Sequence, residues 1–431
     1  MNIMGLAKSA KSAALRLAAS DEILKNQALE QIALILEENK ETIIRANQED
    51  LTRSEEEHLA APLLKRLRFD EAKLADAVAG IRSLVKLEDP VGKTLLATEL
   101  DRGLELYRVT CPIGVIGVIF ESRPDALVQI STLCLKSGNS TLLKGGSEAS
   151  ATNRILTDLI IQATQRAGIP QGWIHLLETR DDVNEMLKLD QYIDLIIPRG
   201  SNEFVRYIMD NSKIPVMGHA DGICHCYVDA GADLEMAVRI AVDSKTQYVA
   251  VCNATETLLV HRQVAAEFLP LLKRAMDEKN VELFGCPKTQ AIIKVQPVRE
   301  EDWQTEYLDY KLSIKVMANL DEAIGHINHY GSGHTDTIVT QNQANAEQFM
   351  NLVDSGNVFW NCSTRFSDGF RYGFGAEVGI STSKLHARGP VGLEGLVSYK
   401  YKLLGNGQVV EDYAQKKRSF NHKKIAQDCP V

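Results

Sequence analysis

The sequence lacks several patterns that would each define a class of protein. No G-x-G-x-x-G fingerprint follows a strand, so a dinucleotide fold of the usual Rossmann type is not indicated. No run of 18 apolar residues occurs, which argues against a transmembrane helix. The 8 cysteines are irregularly spaced and form no C-x-x-C pair, so a disulfide framework is not indicated and a reducing compartment fits better.

Composition and charge are ordinary for a soluble globular protein. The 431 residues are 45% hydrophobic and 24% charged, and the length suggests two or three domains. Acids and bases are well mixed around a net charge of −9, which argues against a nucleic-acid or anionic-membrane partner.

The hydrophobic patterning changes along the chain. Residues 1 to about 85 show helical periodicity; their first segment, rich in Ala and Ser, fits either an amphipathic helix or a transit peptide. The β-branched stretch 104–120 predicts strands, and strands then alternate with helices, with a second alternating region over about 235–375. We therefore expect an α/β protein with two doubly wound units, a cleft between them, and ligands beyond the carboxyl ends of the strands.

Several polar segments follow predicted strands. In "LLKGGSEAS", Lys144 precedes two glycines and a helix with Ser147 as candidate N-cap, which fits either a polar-ligand site using helix amides or a surface lysine in a turn. In "FESRPDAL", Ser122 and Arg123 lie either at the cleft or at an ordinary helix start. The long loop "STRFSDGFRYGFGAEVGIST" offers Arg365 and Arg371 as a clamp for a carboxylate or phosphate.

Two cysteine-containing segments remain ambiguous. "GHADGICHCYVD" holds His219, Asp221, Cys224, His225 and Cys226, but their spacing does not suit one tetrahedral site, so we expect no metal. Cys252, in "QYVAVCNATETLLVH", precedes a predicted buried strand, and taken alone such a cysteine is usually a packing residue.

Many segments together resemble the gamma-glutamyl phosphate reductase family, also called glutamate-5-semialdehyde dehydrogenases, of the aldehyde dehydrogenase superfamily. They run over nearly the whole chain and include "GVIGVIFESRPDALVQISTLCLKSGN", "LLKGGSEA", "DLIIPRGSNEFVRYI", "VCNATETLLVH", "TEYLDYKLSIKV" and "STRFSDGFRYGFGAEVGISTSKLHARGPVGLEGL". The departure is Tyr248-Val249-Ala250, where the family pattern usually has Arg-Pro after the glutamine.

The resemblance implies an aldehyde dehydrogenase-like fold: two Rossmann-like α/β domains and a small β oligomerisation element. Its boundaries would be 1–103 and 119–230 for the cofactor-binding domain and 231–385 for the catalytic domain. Residues 104–118 and 386–431 would form the oligomerisation strands and the C-terminal tail.

The resemblance also implies NADPH-dependent reduction of L-glutamyl 5-phosphate to L-glutamate 5-semialdehyde and phosphate, in proline biosynthesis. Cys252 becomes the nucleophile that carries a thioester and then a thiohemiacetal, with the oxyanion held by its own N–H and by Ser122. The hydrolytic relatives use a glutamate in E-L-G-G, and "PVMGHADG" has no glutamate there, although His219 could assist proton transfer. The alternatives are a hydrolytic NAD(P)-dependent aldehyde dehydrogenase and a non-catalytic binding protein on the same fold.

The remaining roles also come from the resemblance. Ser147, in place of a glutamate, favours NADPH over NADH, and the substrate's amino-acid end would be bound by a charged set. We further expect a cytoplasmic homo-oligomer, possible partnership with glutamate 5-kinase, and no metal. The cofactor-binding residues would be Lys144, Ser147, Gly200, Ser201 and Glu306, and the substrate-binding residues Arg123, Arg365 and Asp368.

Overall fold

The chain folds around two parallel β-sheets, one in each of two units. The computed structural model describes residues 2–178, 181–219 and 221–431. The first unit comprises Met1–Met217 and Gly392–Val431, and the second Gly218–Val391. None of the helices in these described ranges combines the length and apolar composition that a bilayer-spanning helix requires.

The bounds of the regular elements are as follows. The α-helices are α1 (Ile3–Leu17), α2 (Glu22–Glu38), α3 (Lys40–Glu56), α4 (Ala61–Leu67), α5 (Glu71–Val85), α6 (Pro124–Lys136), α7 (Ser150–Ala167), α8 (Asp181–Met186), α9 (Asn202–Asn211), α10 (Leu234–Thr246), α11 (Arg262–Asp277), α12 (Pro287–Gln290), α13 (Leu320–Tyr330), α14 (Gln343–Leu352) and α15 (Val410–Ala414). The strands are β1 (Thr94–Asp101), β2 (Leu104–Pro112), β3 (Val115–Phe120), β4 (Ser140–Gly145), β5 (Ile174–Leu177), β6 (Leu195–Arg199), β7 (Cys224–Val228), β8 (Thr255–His261), β9 (Glu282–Gly285), β10 (Gln296–Pro297), β11 (Lys311–Met317), β12 (Thr335–Val339), β13 (Asn357–Trp360), β14 (Gly379–Ser381), β15 (Gly389–Val391), β16 (Val397–Leu404) and β17 (Lys423–Lys424). Short 3-10 helices occupy Ser147–Ala149, Glu300–Gln304, Thr364–Phe366 and Leu393–Leu396.

The helical prediction for the first 85 residues is confirmed. α1 to α5 fill that region, and capping side chains fix where helices begin. Asp21 accepts a hydrogen bond from the Leu24 N–H at 2.8 Å, and Asp70 accepts one from the Lys73 N–H at 3.1 Å. The first segment forms a helix whose alanine-rich face is buried, because small side chains allow close packing.

The parallel sheet of the first unit has the strand order β5-β4-β3-β6. Every residue of β3 and β4 is buried, as expected for strands covered on both faces. Because the strands are parallel, their carboxyl ends lie at one edge. This edge carries three of the nominated segments: those that follow Phe120, Gly145 and Arg199.

A separate antiparallel sheet in the same unit has the order β16-β2-β1-β17. It differs from the expected oligomerisation element in two places. Residues 94–101, expected in the cofactor-binding domain, form β1 and pair with β2. Gly103, at φ +70°, allows the tight turn between the two strands. Residues 115–118, expected in the oligomerisation element, instead lie within the parallel strand β3.

The second unit contains a seven-stranded parallel sheet with the order β10-β9-β11-β8-β7-β12-β13. Side chains of β8 alternate between two apolar cores: Leu258 packs with Phe268, and Leu259 packs with Tyr227 and Phe349. The sheet is therefore covered on both faces. Because β7 lies in its interior, residues 218–230 belong with this unit, whereas the sequence-based boundary was placed at 230.

Candidate active site

Cys252 lies in the turn that joins α10 to the buried strand β8. Its side chain is half-buried, and the strand that follows is buried at every position. The buried strand that follows thus fixes the end of the turn in which this half-buried cysteine lies. This placement is unlike that of Cys226, which packs in the apolar core of the sheet.

The neighbouring residue Asn253 anchors this turn to the 3-10 helix at 364–366. The Asn253 amide nitrogen donates to the Ser367 carbonyl at 2.7 Å, and the Thr364 hydroxyl donates to the Asn253 carbonyl at 2.7 Å. The Thr364 hydroxyl also lies 3.2 Å from that of Thr255, the first residue of β8. These buried bonds fix the backbone on the carboxyl side of Cys252.

The other side of the turn packs against the segment that leads into β7. A Cβ atom built on Gly222 would lie 2.2 Å from the Cys252 carbonyl oxygen and 2.5 Å from its Cβ, so only glycine fits this contact. One residue beyond Ile223, the Cys224 thiol donates to the same carbonyl oxygen at 3.2 Å. Gly222, in "GHADGICHCYVD", thus allows this segment to pack closely against the Cys252 turn.

Arg365 is the buried cation beside this turn. It is 8% exposed, and its Nε donates to the Gln247 side-chain oxygen at 2.9 Å. Burial lowers the pKa of Arg365, as does the nearby Arg371, while negative charge on Cys252 and Asp368 acts in the opposite direction. Arg365 therefore contacts the segment between α10 and β8 that carries Cys252.

Asp368 and Arg371 complete the charged loop. Arg371 donates to the Arg365 carbonyl at 2.8 Å and lies 3.4 Å from the Asp368 carboxylate. The structure thus brings together three of the charged residues nominated in this loop. Arg123 belongs to the first unit, where it precedes α6.

A fully buried ion pair lies in the same unit. Lys245, on α10, contacts Glu256, on β8, at 2.5 Å, and both side chains are fully buried. Burial raises the pKa of Glu256 to about 7 in spite of this partner, and the negative charge of Glu306 acts in the same direction. Glu306, half-buried and nominated for the cofactor, is therefore close to this pair.

In the first unit, Ser122 is buried and already hydrogen-bonded. Its hydroxyl donates to the Glu148 carboxylate at 2.8 Å and its N–H donates to the same oxygen at 2.6 Å. Its φ of 48° is unusual for a non-glycine residue. An oxyanion role requires this hydroxyl to donate to the substrate, but it donates to Glu148 instead. The sequence did not indicate Glu148.

Lys144 lies at the end of β4 and is 6% exposed, so the surface-lysine alternative is wrong. The expected use of helix amides is also wrong for the start of α7. Asp50, from α3, accepts from the N–H groups of Ala151 at 3.2 Å and Thr152 at 2.8 Å. These amides are bound within the protein, and a carboxylate from another helix could not be inferred from local spacing.

Arg53 is a second cation at this edge that the sequence did not indicate. Its Nη2 lies 3.2 Å from the carbonyl oxygens of Ser147 and Glu148 and 3.2 Å from the Ser150 hydroxyl. Ser147 itself begins the 3-10 helix that precedes α7, instead of capping α7. Arg53 thus contacts the segment that begins at Ser147, three residues after Lys144, and it also pairs with the Asp50 carboxylate.

Gly200 and Ser201 form the turn after β6. The Ser201 N–H donates to the Glu121 carboxylate at 3.0 Å, and a Cβ on Gly200 would lie 2.5 Å from the same carboxylate. The first unit therefore gathers Lys144, Ser147 and this turn at one sheet edge. Cys252, Glu306, Arg365 and Asp368 belong to the second unit.

Comparison with known proteins identifies the family. The model of the family described as "Aldehyde dehydrogenase family" matches residues 2–291. A gamma-glutamyl phosphate reductase of Acetivibrio thermocellus is 72% identical over 431 residues, covering 100% of both chains. The chain belongs to the aldehyde dehydrogenase family, in its gamma-glutamyl phosphate reductase branch. One from Methanococcoides burtonii is 53% identical, covering 96% of this chain and 95% of the relative.

Solved structures agree with this assignment. The crystal structure of gamma-glutamyl phosphate reductase from Thermotoga maritima has a TM-score of 0.93 at 40% identity, covering 95% of this chain and 100% of that chain. An acetylating aldehyde dehydrogenase from Geobacillus thermoglucosidasius shares the fold, with a TM-score of 0.63 at 15% identity over 94% of this chain and 97% of that chain. The resemblance and the aldehyde dehydrogenase-like fold are thereby confirmed.

Proposed function

We propose that this protein reduces L-glutamyl 5-phosphate to L-glutamate 5-semialdehyde and phosphate, in proline biosynthesis, with NADPH as reductant. The observation that carries the proposal is the Cys252 turn: a half-buried cysteine in a segment that buried hydrogen bonds of Asn253 and of the cation Arg365 hold in place. The names of relatives that match the full length of the chain support the substrate.

Cys252 is the proposed nucleophile. The thiolate, not the thiol, is the attacking form of a cysteine nucleophile. The thiolate attacks the acyl phosphate carbon, the C–O bond to phosphate breaks, and a thioester forms on the sulfur. The N–H of Cys252 is the oxyanion donor that we retain, because the Ser122 hydroxyl donates to Glu148.

The thioester then collapses to the product in two steps. When bound, the reduced nicotinamide would supply a hydride to the acyl carbon, and Cys252 would hold the resulting thiohemiacetal as its oxyanion. The sulfur leaves as thiolate and the semialdehyde is released. In the reverse direction phosphate attacks the thioester, so no glutamate base is required to activate water.

The first test compares Cys252→Ser with Cys362→Ser, another half-buried thiol of the same unit. Semialdehyde oxidation should fall by at least about 10³-fold in Cys252→Ser and stay near wild type in Cys362→Ser. Omitting phosphate should abolish the wild-type reaction. Oxidation that persists without phosphate would instead support the hydrolytic alternative, and substrate-independent iodoacetamide labelling of Cys252 would support a non-catalytic protein.

The residues of the first unit fit a nicotinamide dinucleotide carrying a 2′-phosphate. Arg53 lies against the Ser147 carbonyl and pairs with Asp50, Lys144 precedes Ser147 by three residues, and Ser147 adds no charge of its own. We assign Lys144, Ser147, Gly200 and Ser201 to the adenosine end, with Arg53 meeting the 2′-phosphate. Glu306 is assigned to the nicotinamide ribose.

Cofactor preference is tested with Ser147→Glu and Arg53→Gln, with Arg45→Gln as control because Arg45 is exposed on the same helix. The ratio of kcat/KM for NADPH to that for NADH should fall by about 10–100-fold in each, because a charge-assisted hydrogen bond contributes about 1.5–3 kcal/mol. An unchanged ratio in both variants would contradict the assignment. Arg45→Gln should keep the wild-type ratio.

We assign Arg365 and Asp368 to the α-carboxylate and α-amino groups of the substrate, with Arg123 as a further contact. Arg371 donates to the Arg365 carbonyl and pairs with Asp368, so it joins the two assigned residues in the loop that packs on the Cys252 turn, which supports this assignment. Asp368→Asn should raise KM for the semialdehyde by about 10-fold and leave KM for the cofactor unchanged. Asp354→Asn, at a more exposed ion pair of the same unit, is the control.

We also propose a cytoplasmic homo-oligomer that functions with glutamate 5-kinase. The edge strand β16 exposes Tyr399, Tyr401 and Leu403 by 51%, 58% and 55%, which suits a subunit contact. Tyr401→Lys should lower the mass measured by light scattering. A mixed assay in which added kinase gives no rate benefit would contradict the partnership.

A further inference from the structure

Two histidines and Cys252 converge in the second unit. One ring nitrogen each of His219 and His334 and the Cys252 sulfur lie within 4.8 Å of one another. The two rings meet edge to face with their centroids 4.9 Å apart. The three residues come from distant segments: the approach to β7, the turn before β8, and the residue before β12.

Hydrogen bonds to Nδ1 orient both imidazole rings. His219 Nδ1 lies 2.8 Å from the Ile380 carbonyl oxygen, which only accepts, so Nδ1 carries the proton and the lone pair is on Nε2. His334 Nδ1 lies 2.8 Å from the Thr335 hydroxyl. An imidazole held through one nitrogen by a neutral partner is how protein metal sites fix a histidine whose other nitrogen binds the ion.

His334 provides the second indication of a ligand. Its ring is fully buried, and its Nε2 has no hydrogen-bond partner within the described ranges. A buried polar nitrogen without a hydrogen-bond partner costs free energy in the folded state. A cation bound to this nitrogen would remove that cost.

We propose that His219, Cys252 and His334 bind a thiophilic divalent cation of the zinc class, with water as the fourth ligand. Two imidazole nitrogens and one thiolate match the preferences of such ions, and three protein ligands with one open position form a known type of zinc site. Ligand atoms around tetrahedral zinc lie about 3.3–3.6 Å apart, given bonds of about 2.0–2.3 Å, so the side chains must close by roughly 1 Å.

Binding is an exchange of a proton for a metal ion. The Cys252 S–H bond breaks, the proton goes to solvent, and a sulfur–metal bond forms without any change in oxidation state. The sulfur lone pair is then donated to the metal ion and is no longer available for nucleophilic attack. Only one consequence rests on the proposed function: if Cys252 is the nucleophile, the bound ion inhibits the enzyme, and removal by a chelator restores activity.

The test uses chelator-treated full-length protein titrated with Co²⁺ as the spectroscopic probe. We expect one equivalent to bind with a sulfur-to-cobalt charge-transfer band, and Zn²⁺ to displace it. Cys252→Ser should remove the band, and His219→Asn and His334→Asn should each weaken binding by about 10–100-fold. The controls are Cys362→Ser and the exposed His329→Asn, which should bind as wild type.

The outcomes separate the metal site from the proposed function. A thiolate band that persists in Cys252→Ser, or no binding at millimolar Co²⁺, overturns the site. Should His334→Asn fail to fold, His219→Asn decides the same point, together with protection of Cys252 from iodoacetamide by Zn²⁺. If the ion binds at Cys252 but turnover is undiminished, the site stands and Cys252 is not the nucleophile.

Discussion

At the carboxyl edge of the first sheet, polar groups bind one another, whereas at the edge where β8 of the second sheet begins, side-chain hydrogen bonds to carbonyl groups hold the turn that carries Cys252. Glu148 accepts from Ser122, and Glu121 accepts from Ser201. In the second unit, Asn253 and Thr364 fix the Cys252 turn, and the sulfur itself remains half-buried. A surface that recognises a ligand can use its charged side chains, but a nucleophile requires a fixed backbone with a free sulfur.

Breaking the buried Lys245–Glu256 ion pair of the second unit gives the largest expected loss of stability. Lys245→Met should lower the free energy of unfolding at pH 8 by about 3–5 kcal/mol, because Glu256 is left as a buried charge without its partner. Denaturant unfolding measures this. Lys273→Met removes a more exposed pair with Asp277 and should change stability by less than about 1 kcal/mol.

The double variant Lys245→Met with Glu256→Gln sharpens this result. It removes both charges and should be more stable than Lys245→Met alone. If both variants unfolded at the same denaturant concentration, the loss would come from packing of the lysine stem instead of from the charge.

The rigid turn is tested by Gly222→Ala. The added Cβ would meet Cys252 atoms at 2.2–2.5 Å, so the turn must shift. A shift of about 1 Å should lower kcat/KM roughly 100-fold. Gly325→Ala is the matched control, because its Cβ would meet nothing within 4 Å, and activity should be unchanged. Full activity in Gly222→Ala would show that the position of the sulfur is not limiting.

A substitution in the first unit should lower the free energy of unfolding less than Lys245→Met does. Asp50→Ala removes the carboxylate that caps α7 and should cost about 1–2 kcal/mol of unfolding free energy. Thermal unfolding measures it, with Asp158→Ala, exposed on the same helix, as control. A loss equal to that of Lys245→Met would contradict the contrast between the two units.

The last prediction concerns pH, where the change in the free energy of unfolding for each pH unit is small. Burial raises the pKa of Glu256 to about 7 from an ordinary value of 4.5, so the folded state holds a proton there that the unfolded chain releases. The free energy of unfolding should therefore fall as pH rises from 4.5 to about 7, by at most about 1.4 kcal/mol per pH unit. Glu256→Gln should lack this contribution, and equal slopes in both proteins would contradict it.

Local patterns predicted much of the fold. The period of the apolar residues placed the N-terminal helices, and "TETLLVH" matches the bounds of β8, Thr255–His261. Local patterns do not show that 94–101 joins the antiparallel sheet, because only its pairing with β2 reveals this. Quoted motifs, through the family they resemble, selected Cys252 from among 8 cysteines.

The surroundings of the thiol could not be predicted in the same way. His219 was considered in the set "GHADGICHCYVD", but its neighbour across the sheet is His334, from a segment that suggested no ligand. Arg53 and Asp50 reach the start of α7 from α3, and no local rule joins those helices.

The sequence by itself determined which segments are helix or strand, where several helices begin, and which family's motifs surround Cys252. These depend on interactions between residues close in the chain. Only the tertiary structure decided which groups surround the sulfur and the buried Glu256. The strand order puts β7 between β8 and β12, and that order brings Cys224, Cys252 and His334 together. Strand order is a property of the whole sheet, because it follows from burying both faces at once.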